Sequence, residues 1–236
     1  MTENKVKFIT ACIIQSLSYL RKEKIINRDV KMQNIIMDKQ GYFNLIDFSF
    51  AIKYSEKNKS QTFFKISSLE SSPETNQFSL YDYNSDYYRI GVIIYYLIFK
   101  KYVNNVKKEK KIKTIQINPN TVKNFSSSCI DFLNKLIIHD YKKRIGFKSI
   151  NELKEHKWFK GFNWKQLENK TMKSPFKFIS NKNRKCKKDY KKSNDTKKIN
   201  YNNIFLSKYD YFNRDIVNKI LQSRNSTIKK SNEKKK

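Results

Sequence analysis

The stretch IINRDVKMQNIIMDKQGYFNLIDFSFA, residues 25 to 51, decides how this chain is read. It opens on a polar loop in which Asp29, Lys31 and Asn34 fall within six positions of one another. Apolar residues then come in two short runs, IIM and YFNLI, separated by KQG. A pair of brief strands about a glycine-containing turn is the expected structure. A second acid, Asp47, follows the second run in the tripeptide DFS. Two acids, an amide and an ammonium therefore flank one hairpin.

Working outward, residues 3 to 21 carry Ile9, Ile13, Leu17 and Leu20 at three- and four-residue intervals. This spacing predicts an amphipathic helix, with Thr2 as its N-cap. From about Lys53 to Ser72 there is no period and much Ser and Lys, the signature of a long loop, and long ordered loops are usually functional. Residues 86 to 100 are apolar on nearly every face, which predicts a buried helix. The Lys-rich segment 104 to 114 reads as surface. Shorter helices are expected over 125 to 138 and 149 to 156. After about Phe178 the run NKNRKCKKDYKKSNDTKK has no core-forming period, and the patch INYNNIFLSKYDYF interrupts it before a Lys-rich end. No internal repeat is evident.

The bulk numbers bound the answer. The chain has 236 residues, 38% hydrophobic and 14% aromatic, enough for one good core plus a tail. Its formal net charge is +30, which raises nucleic acid or an anionic membrane as partners of the basic tail. Abundant Lys, Asn and Ile beside only 4 Gly and 3 Pro is instead the pattern of AT-rich coding, and solvated surface is the favoured reading of the charge. Cys12, Cys129 and Cys186 have neither disulfide-framework nor metal-ligand spacing, which fits a reducing setting. The N-terminus MTENKVKF lacks a signal-peptide core, and the apolar run IGVIIYYLIF is too short to cross a bilayer. A cytoplasmic, soluble protein with no transmembrane segment is expected.

The loop and hairpin resemble the catalytic segment of protein kinases: Asp29, Lys31 and Asn34 match D-x-K-x-x-N, and DFS stands where kinases carry DFG. Downstream, SPE at Ser72 to Glu74 resembles the A-P-E that closes the activation segment. SDYYRIGVIIYYL, from Ser85, resembles the buried helix of the large lobe, and Arg144 lies in HDYKKRIGF where kinases pair an arginine with the A-P-E glutamate. HKWFKGFNWKQLENKTMKSPFKF, from His156, is similar to the H-x-x-F-x-x-x-x-W and P-F elements with which AGC kinases leave the lobe. ISNKNRKCKKDY resembles the YANK branch, and LSKYDY, Leu206 to Tyr211, resembles the tail's hydrophobic motif with Asp210 at the phosphorylation position.

The resemblance implies a kinase-like fold, large lobe only: mainly α-helical with a small β-hairpin at the cleft. It places the partial kinase domain at 1–160 and a basic, irregular AGC-type extension at 161–236. It implies ATP-dependent phosphorylation of protein serine or threonine, with ATP and Mg²⁺ as cofactors and a protein as substrate. Asp29 would accept or orient the substrate hydroxyl proton and Lys31 would lie by the transferred phosphate. Asn34 and Asp47 would ligate Mg²⁺ and so hold the nucleotide. Asp86 would tie down the loop backbone, and Arg144 would pair with Glu74.

Departures accompany the match. The Gly-rich loop of the small lobe is missing, since Gly41, Gly91, Gly146 and Gly161 are widely separated. No V-A-I-K strand precedes the loop. The isolated chain is therefore expected to be inactive, aggregation-prone through an exposed apolar patch, and in need of a small-lobe or regulatory partner. Asn27 replaces the usual His or Tyr, which weakens one packing link, Ser49 replaces the DFG glycine, and Gln33 replaces a substrate-reading acid. Ser67 or Ser68 is the candidate hydroxyl facing the loop, and Thr62 a candidate phosphosite. The alternative is a pseudokinase-type scaffold that binds partners through the lobe and basic tail.

Overall fold

The computed structural model describes residues 1–54, 70–103 and 115–176. Helix α1, Glu3–Lys22, forms where the three-and-four spacing predicts it, and buries Val6, Ile9, Ile13, Leu17 and Leu20. Each such aliphatic side chain removed from water contributes about 1.5–3 kcal/mol. Glu3 in the first turn and Arg21 and Lys22 in the last complement the helix dipole. Thr2 occupies the N-cap position, but its side chain makes no capping bond, contrary to expectation. Glu3 secures this end instead. Its carboxylate accepts the Ser126 N–H, the Ser126 hydroxyl at 2.7 Å and the Trp158 indole N–H at 2.8 Å.

Two small antiparallel sheets follow. Strands β2 (Ile35–Met37) and β3 (Phe43–Leu45) are the expected hairpin, with Ile35 opposite Leu45 and Met37 opposite Phe43. In its turn, Asp38 accepts the Gln40 and Tyr42 N–H groups, and Gly41 has φ +85°. Strands β1 (Ile25–Ile26) and β4 (Ile52–Lys53) bracket the hairpin and pair with each other. That second ladder draws both ends of the 25-to-53 segment together, so the polar loop before β2 and the DFS after β3 emerge on neighbouring backbone.

Helix α2 (Pro73–Phe78) leads into α3, Tyr83–Phe99. Asp82 and Ser85 form a capping box at the start of α3, and Lys100 closes it in the left-handed region. Residues Asn84 to Tyr95 of α3 are all buried, as its all-round apolarity requires. Helix α4 (Ser127–Leu136) packs close to it at Gly91, where an added Cβ would lie 2.7 Å from Ile137 Cγ2 and 2.9 Å from Leu136 Cβ. Helices α5 (Asn151–Glu155) and α6 (Trp164–Glu168) complete the body. His156, Phe159 and Trp164 of the H-x-x-F-x-x-x-x-W pattern enter one aromatic cluster: Phe132 meets His156 at 5.0 Å and Phe159 at 5.4 Å, and Phe159 meets Trp164 at 5.0 Å.

Beyond α6 the chain returns to the hairpin. Lys170 pairs with Asp38 at 2.8 Å, the Ser174 hydroxyl donates to Gly41 O, and the Phe176 ring lies 4.8 Å from Phe43. Gly41 is required here twice over, by its positive φ and because a Cβ would lie 2.6 Å from Ser174 Oγ.

The exposed large hydrophobics among the described residues are Met1, Phe50, Phe78 and Phe147. Cys12 and Cys129 are buried and free, and no helix among the described residues is long and apolar enough to cross a membrane. Residues 55–69 of the expected long loop, with Thr62, Ser67 and Ser68, the segment 104–114, ISNKNRKCKKDY from Ile179 with Cys186, Asp210 and the basic tail lie outside the described residues.

Candidate active site

The loop between β1 and β2 is shaped by what lies beneath it. Asp86, in the first turn of α3, accepts the backbone N–H groups of Asn27 at 2.8 Å and Arg28 at 3.0 Å. This is the tether expected from sequence. Burial pushes the Asp86 carboxyl up to about 6, against the pull of the two N–H donors and of Arg89 and Arg28. Arg28 adopts φ +68°, and its Nε donates to Phe50 O, while the guanidinium stacks over Tyr81 at 5.4 Å. Asn27 is fully buried, and its Oδ1 accepts the Asp29 N–H at 3.0 Å. The replacement expected to weaken a packing link thus supplies an internal clamp on the loop, although Asn27 Nδ2 is buried without a hydrogen-bond partner among the described residues.

Three of the four residues singled out by sequence are in direct contact. Asp29 Oδ2 lies 2.7 Å from Lys31 Nζ and accepts from Asn34 Nδ2 at 2.8 Å. Asn34 Nδ2 also donates to the Asp29 carbonyl at 2.9 Å. Asn34 is thereby oriented by its amide nitrogen. Asp29 is 1% exposed, and Lys31 is the most open member of the trio. Burying a carboxylate this far is costly unless charges and donors meet it, and here an ammonium and an amide do.

Asp47 reaches the group through the backbone. Ile46 N donates to Asn34 O at 2.8 Å, which places Asp47 immediately beyond the residue paired with Asn34. Asp47 has φ +62°, and its Oδ1 accepts the Ser49 N–H at 2.9 Å. At Lys24, Ser79, Lys100 and Lys170 a left-handed residue closes a helix, where that geometry is common. Arg28 and Asp47 close none. Strain at a non-glycine residue persists only where the surroundings enforce it, and such residues gather at functional sites. The left-handed turn falls on Asp47 rather than Ser49, and the serine in the DFG glycine's place adopts no positive φ.

The donor set suits a hard divalent cation: the Asn34 amide oxygen and the Asp47 carboxylate are both oxygen ligands of the kind Mg²⁺ takes. Among the described residues no cluster of three or more His, Cys, Asp or Glu offers a rival metal centre.

A second buried ion pair ties α2 to the base of the domain. Arg144 donates from Nη1 to Glu74 Oε1 at 2.6 Å and from Nη2 to Glu74 Oε2 at 2.9 Å, as expected from sequence. Its remaining N–H groups reach Asn84 O and Ile138 O, and Tyr88 stacks on the guanidinium at 4.9 Å. Burial alone would raise the Glu74 carboxyl, but Arg144 holds it below its usual value.

One participant was missed from sequence. Arg89, in mid-α3, is 1% exposed, and its Nη1 lies 3.8 Å from Asp29 Oδ1. The available signal was a lone cation inside an otherwise apolar helix, where a charge is expected only with a partner.

Comparison with known proteins bears on the whole arrangement. Residues 1–159 match the model of the protein kinase domain. The chain is 33% identical over 180 residues to a probable serine/threonine-protein kinase of Dictyostelium discoideum, covering 74% of this chain and 39% of that protein. It is 29% identical over 185 residues to human cGMP-dependent protein kinase 2, covering 72% of this chain and 23% of the relative. Human rhodopsin kinase GRK1 is 30% identical over 182 residues, covering 74% and 32%. The matches thus span well under half the length of these relatives. With the match of residues 1–159 and the paired Glu74 and Arg144 in place, the chain belongs to the protein kinase family.

Proposed function

We propose that this chain is the large lobe of an AGC-type serine/threonine protein kinase, with residues 1–160 as partial kinase domain and 161–236 as the AGC-type extension. The observation that carries this reading is the contact of Asp29 with Lys31 and Asn34, whose carbonyl accepts from Ile46, the residue before Asp47. No charge run or surface drift accounts for a buried carboxylate held by two donors beside a second, strained acid.

ATP with Mg²⁺ would supply the γ-phosphate that passes to a serine or threonine hydroxyl as the bond to the leaving ADP breaks. The chain's own residues do the positioning. Asp29 orients the hydroxyl and accepts its proton as the bond to phosphorus forms. Lys31, at 29% side-chain exposure, bridges from Asp29 toward the transferred group and offsets its charge. Asn34 is fixed through its nitrogen on Asp29, so its oxygen would be the end offered to Mg²⁺, and Asp47 would provide a second oxygen.

The sequence here contains no Gly-rich phosphate loop. We infer that this chain alone turns over negligibly and becomes active once a small lobe is supplied. The test is transfer of labelled phosphate from Mg-ATP to a serine/threonine peptide library. It is run on the chain alone and on the chain joined behind the ATP-binding lobe of a relative. The reading expects transfer only in the joined form, and its loss with Asp47→Ala. Transfer by the pure chain alone overturns the inactivity. A folded, ATP-binding joined form that transfers nothing favours the scaffold reading, to which the orphaned Asn27 Nδ2 lends support.

A further inference from the structure

Arg89 is the least compensated charge in the described part of the molecule. It is 1% exposed on a helix buried along most of its length, yet neither Nη1 nor Nη2 has a hydrogen-bond partner among the described residues. Buried arginines are ordinarily paired and hydrogen-bonded, because an unsatisfied guanidinium forfeits its hydration. Arg144 in the same core meets that rule on every nitrogen. What surrounds Arg89 is charge without hydrogen bonds. Asp29 Oδ1 lies 3.8 Å from Nη1, and Asp86, one turn earlier on α3, interacts with Arg89 electrostatically.

The two oxygens of Asp29 are therefore treated differently. Oδ2 is taken up by Lys31 at 2.7 Å and Asn34 at 2.8 Å. Oδ1 faces a cation beyond hydrogen-bonding distance. A cation at that separation attracts the carboxylate but occupies no lone pair on Oδ1.

We propose that Arg89 is a positioning residue for Asp29: a buried cation on α3 that holds the carboxylate in the orientation in which Oδ2 meets Lys31 and Asn34. This deepens the phosphotransfer reading and rests on it for the role of Asp29. Arg89 also links the two acids of the site. Asp86 fixes the loop backbone, Asp29 carries the reacting oxygen, and the one guanidinium serves as counterion to both. The row Asp86, Arg89, Asp29, Lys31 alternates in sign from the helix to the more exposed lysine.

The test is made on the 236-residue chain by NMR. The side-chain amide protons of Asn34, held on Asp29, report whether the carboxylate keeps its place. Arg89→Met is expected to speed their exchange at least about 10-fold, while backbone amides of α4 stay protected. Arg89→Lys, which keeps the charge, is expected to retain most of the protection. Unchanged Asn34 exchange in Arg89→Met overturns the proposal, and so does loss in Arg89→Lys equal to that in Arg89→Met.

If Arg89→Met does not fold, the reciprocal reading decides. In Asp29→Asn the Arg89 guanidinium resonances should move, and resonances that stay put overturn the proposal. In the joined form, misplacing Asp29 by Arg89→Met should lower kcat on the order of 10²-fold with little change in KM for ATP. If the unsubstituted joined form transfers nothing, the phosphotransfer reading fails, while the exchange data still settle whether Arg89 holds Asp29.

Discussion

Arg144 and Arg89 are each only 1% exposed among the described residues, and they are not alike. Arg144 spends every nitrogen: Nη1 on Glu74 and Asn84 O, Nη2 on Glu74 and Ile138 O, and Nε on Ile138 O, with Tyr88 against its face. Arg89, equally buried, leaves both Nη groups without a hydrogen bond and stands 3.8 Å from Asp29. A saturated ion pair is a fastening, since any movement of it breaks several bonds at once. An unsaturated one attracts its partner without tying it by hydrogen bonds. On the proposed reading, the contrast separates the part of the molecule that holds shape from the part set up for chemistry.

Substitution should reveal that contrast, with the fastening costing more. Arg144→Met strands the buried Glu74 carboxylate and should remove about 3–5 kcal/mol of stability, read as a lower urea midpoint at unchanged slope. A midpoint that hardly moves would mean the pair is ornamental. Gly91→Ala tests the packing that holds α3, and so both arginines, in place. Its Cβ meets Leu136 and Ile137 under 3 Å, so a loss of about 1–3 kcal/mol is expected. Arg89→Met should cost least, about 1 kcal/mol, because removing two unsatisfied donors with the side chain offsets part of the attraction lost to Asp29. A loss as large as that of Arg144→Met would erase the distinction.

Acid should pull the two regions in opposite directions. Asp86 is raised from 3.8 to about 6 by burial, so the folded state binds its proton more tightly than the unfolded state does. Relative to Asp86→Asn, the unsubstituted chain should gain stability as pH falls from 7 through about 6 toward 4. Glu74 is held below 4.5, so its contribution is full above 4.5 and disappears as pH falls through the lower, folded value. The advantage over Glu74→Gln should therefore vanish only in that more acid range. Urea midpoints at a series of pH values distinguish the two signs, and parallel curves would contradict both assignments.

Much of the candidate site was legible because its information is local. The spacing of Asp29, Lys31, Asn34 and Asp47, with two apolar runs between, specifies a hairpin and its flanks without reference to anything distant. The α1 and α3 patterns are long enough for a period to declare itself, and Asp86, Glu74 and Arg144 followed from motif order.

What stayed hidden depends on neighbours far along the chain. Two-residue strands such as Ile25–Ile26 and Ile52–Lys53 are too short to carry an alternation, and the six- and five-residue helices α2 and α6 are too short for a helical period. Glu3 looked like an ordinary surface acid until Ser126 and Trp158 arrived at it, which also made a Thr2 cap unnecessary. Arg89 sat in plain view within an apolar helix, but its partner is 60 residues away across a different fold element.

The central claim is that Asp29 carries the proton step of a phosphoryl transfer. It is tested most directly by the single-turnover rate of the chain joined to an ATP-binding lobe, measured with saturating Mg-ATP for the unsubstituted protein and for Asp29→Asn. The account predicts a loss of about 10²–10⁴-fold with ATP binding retained. Equal rates for the two proteins would contradict it.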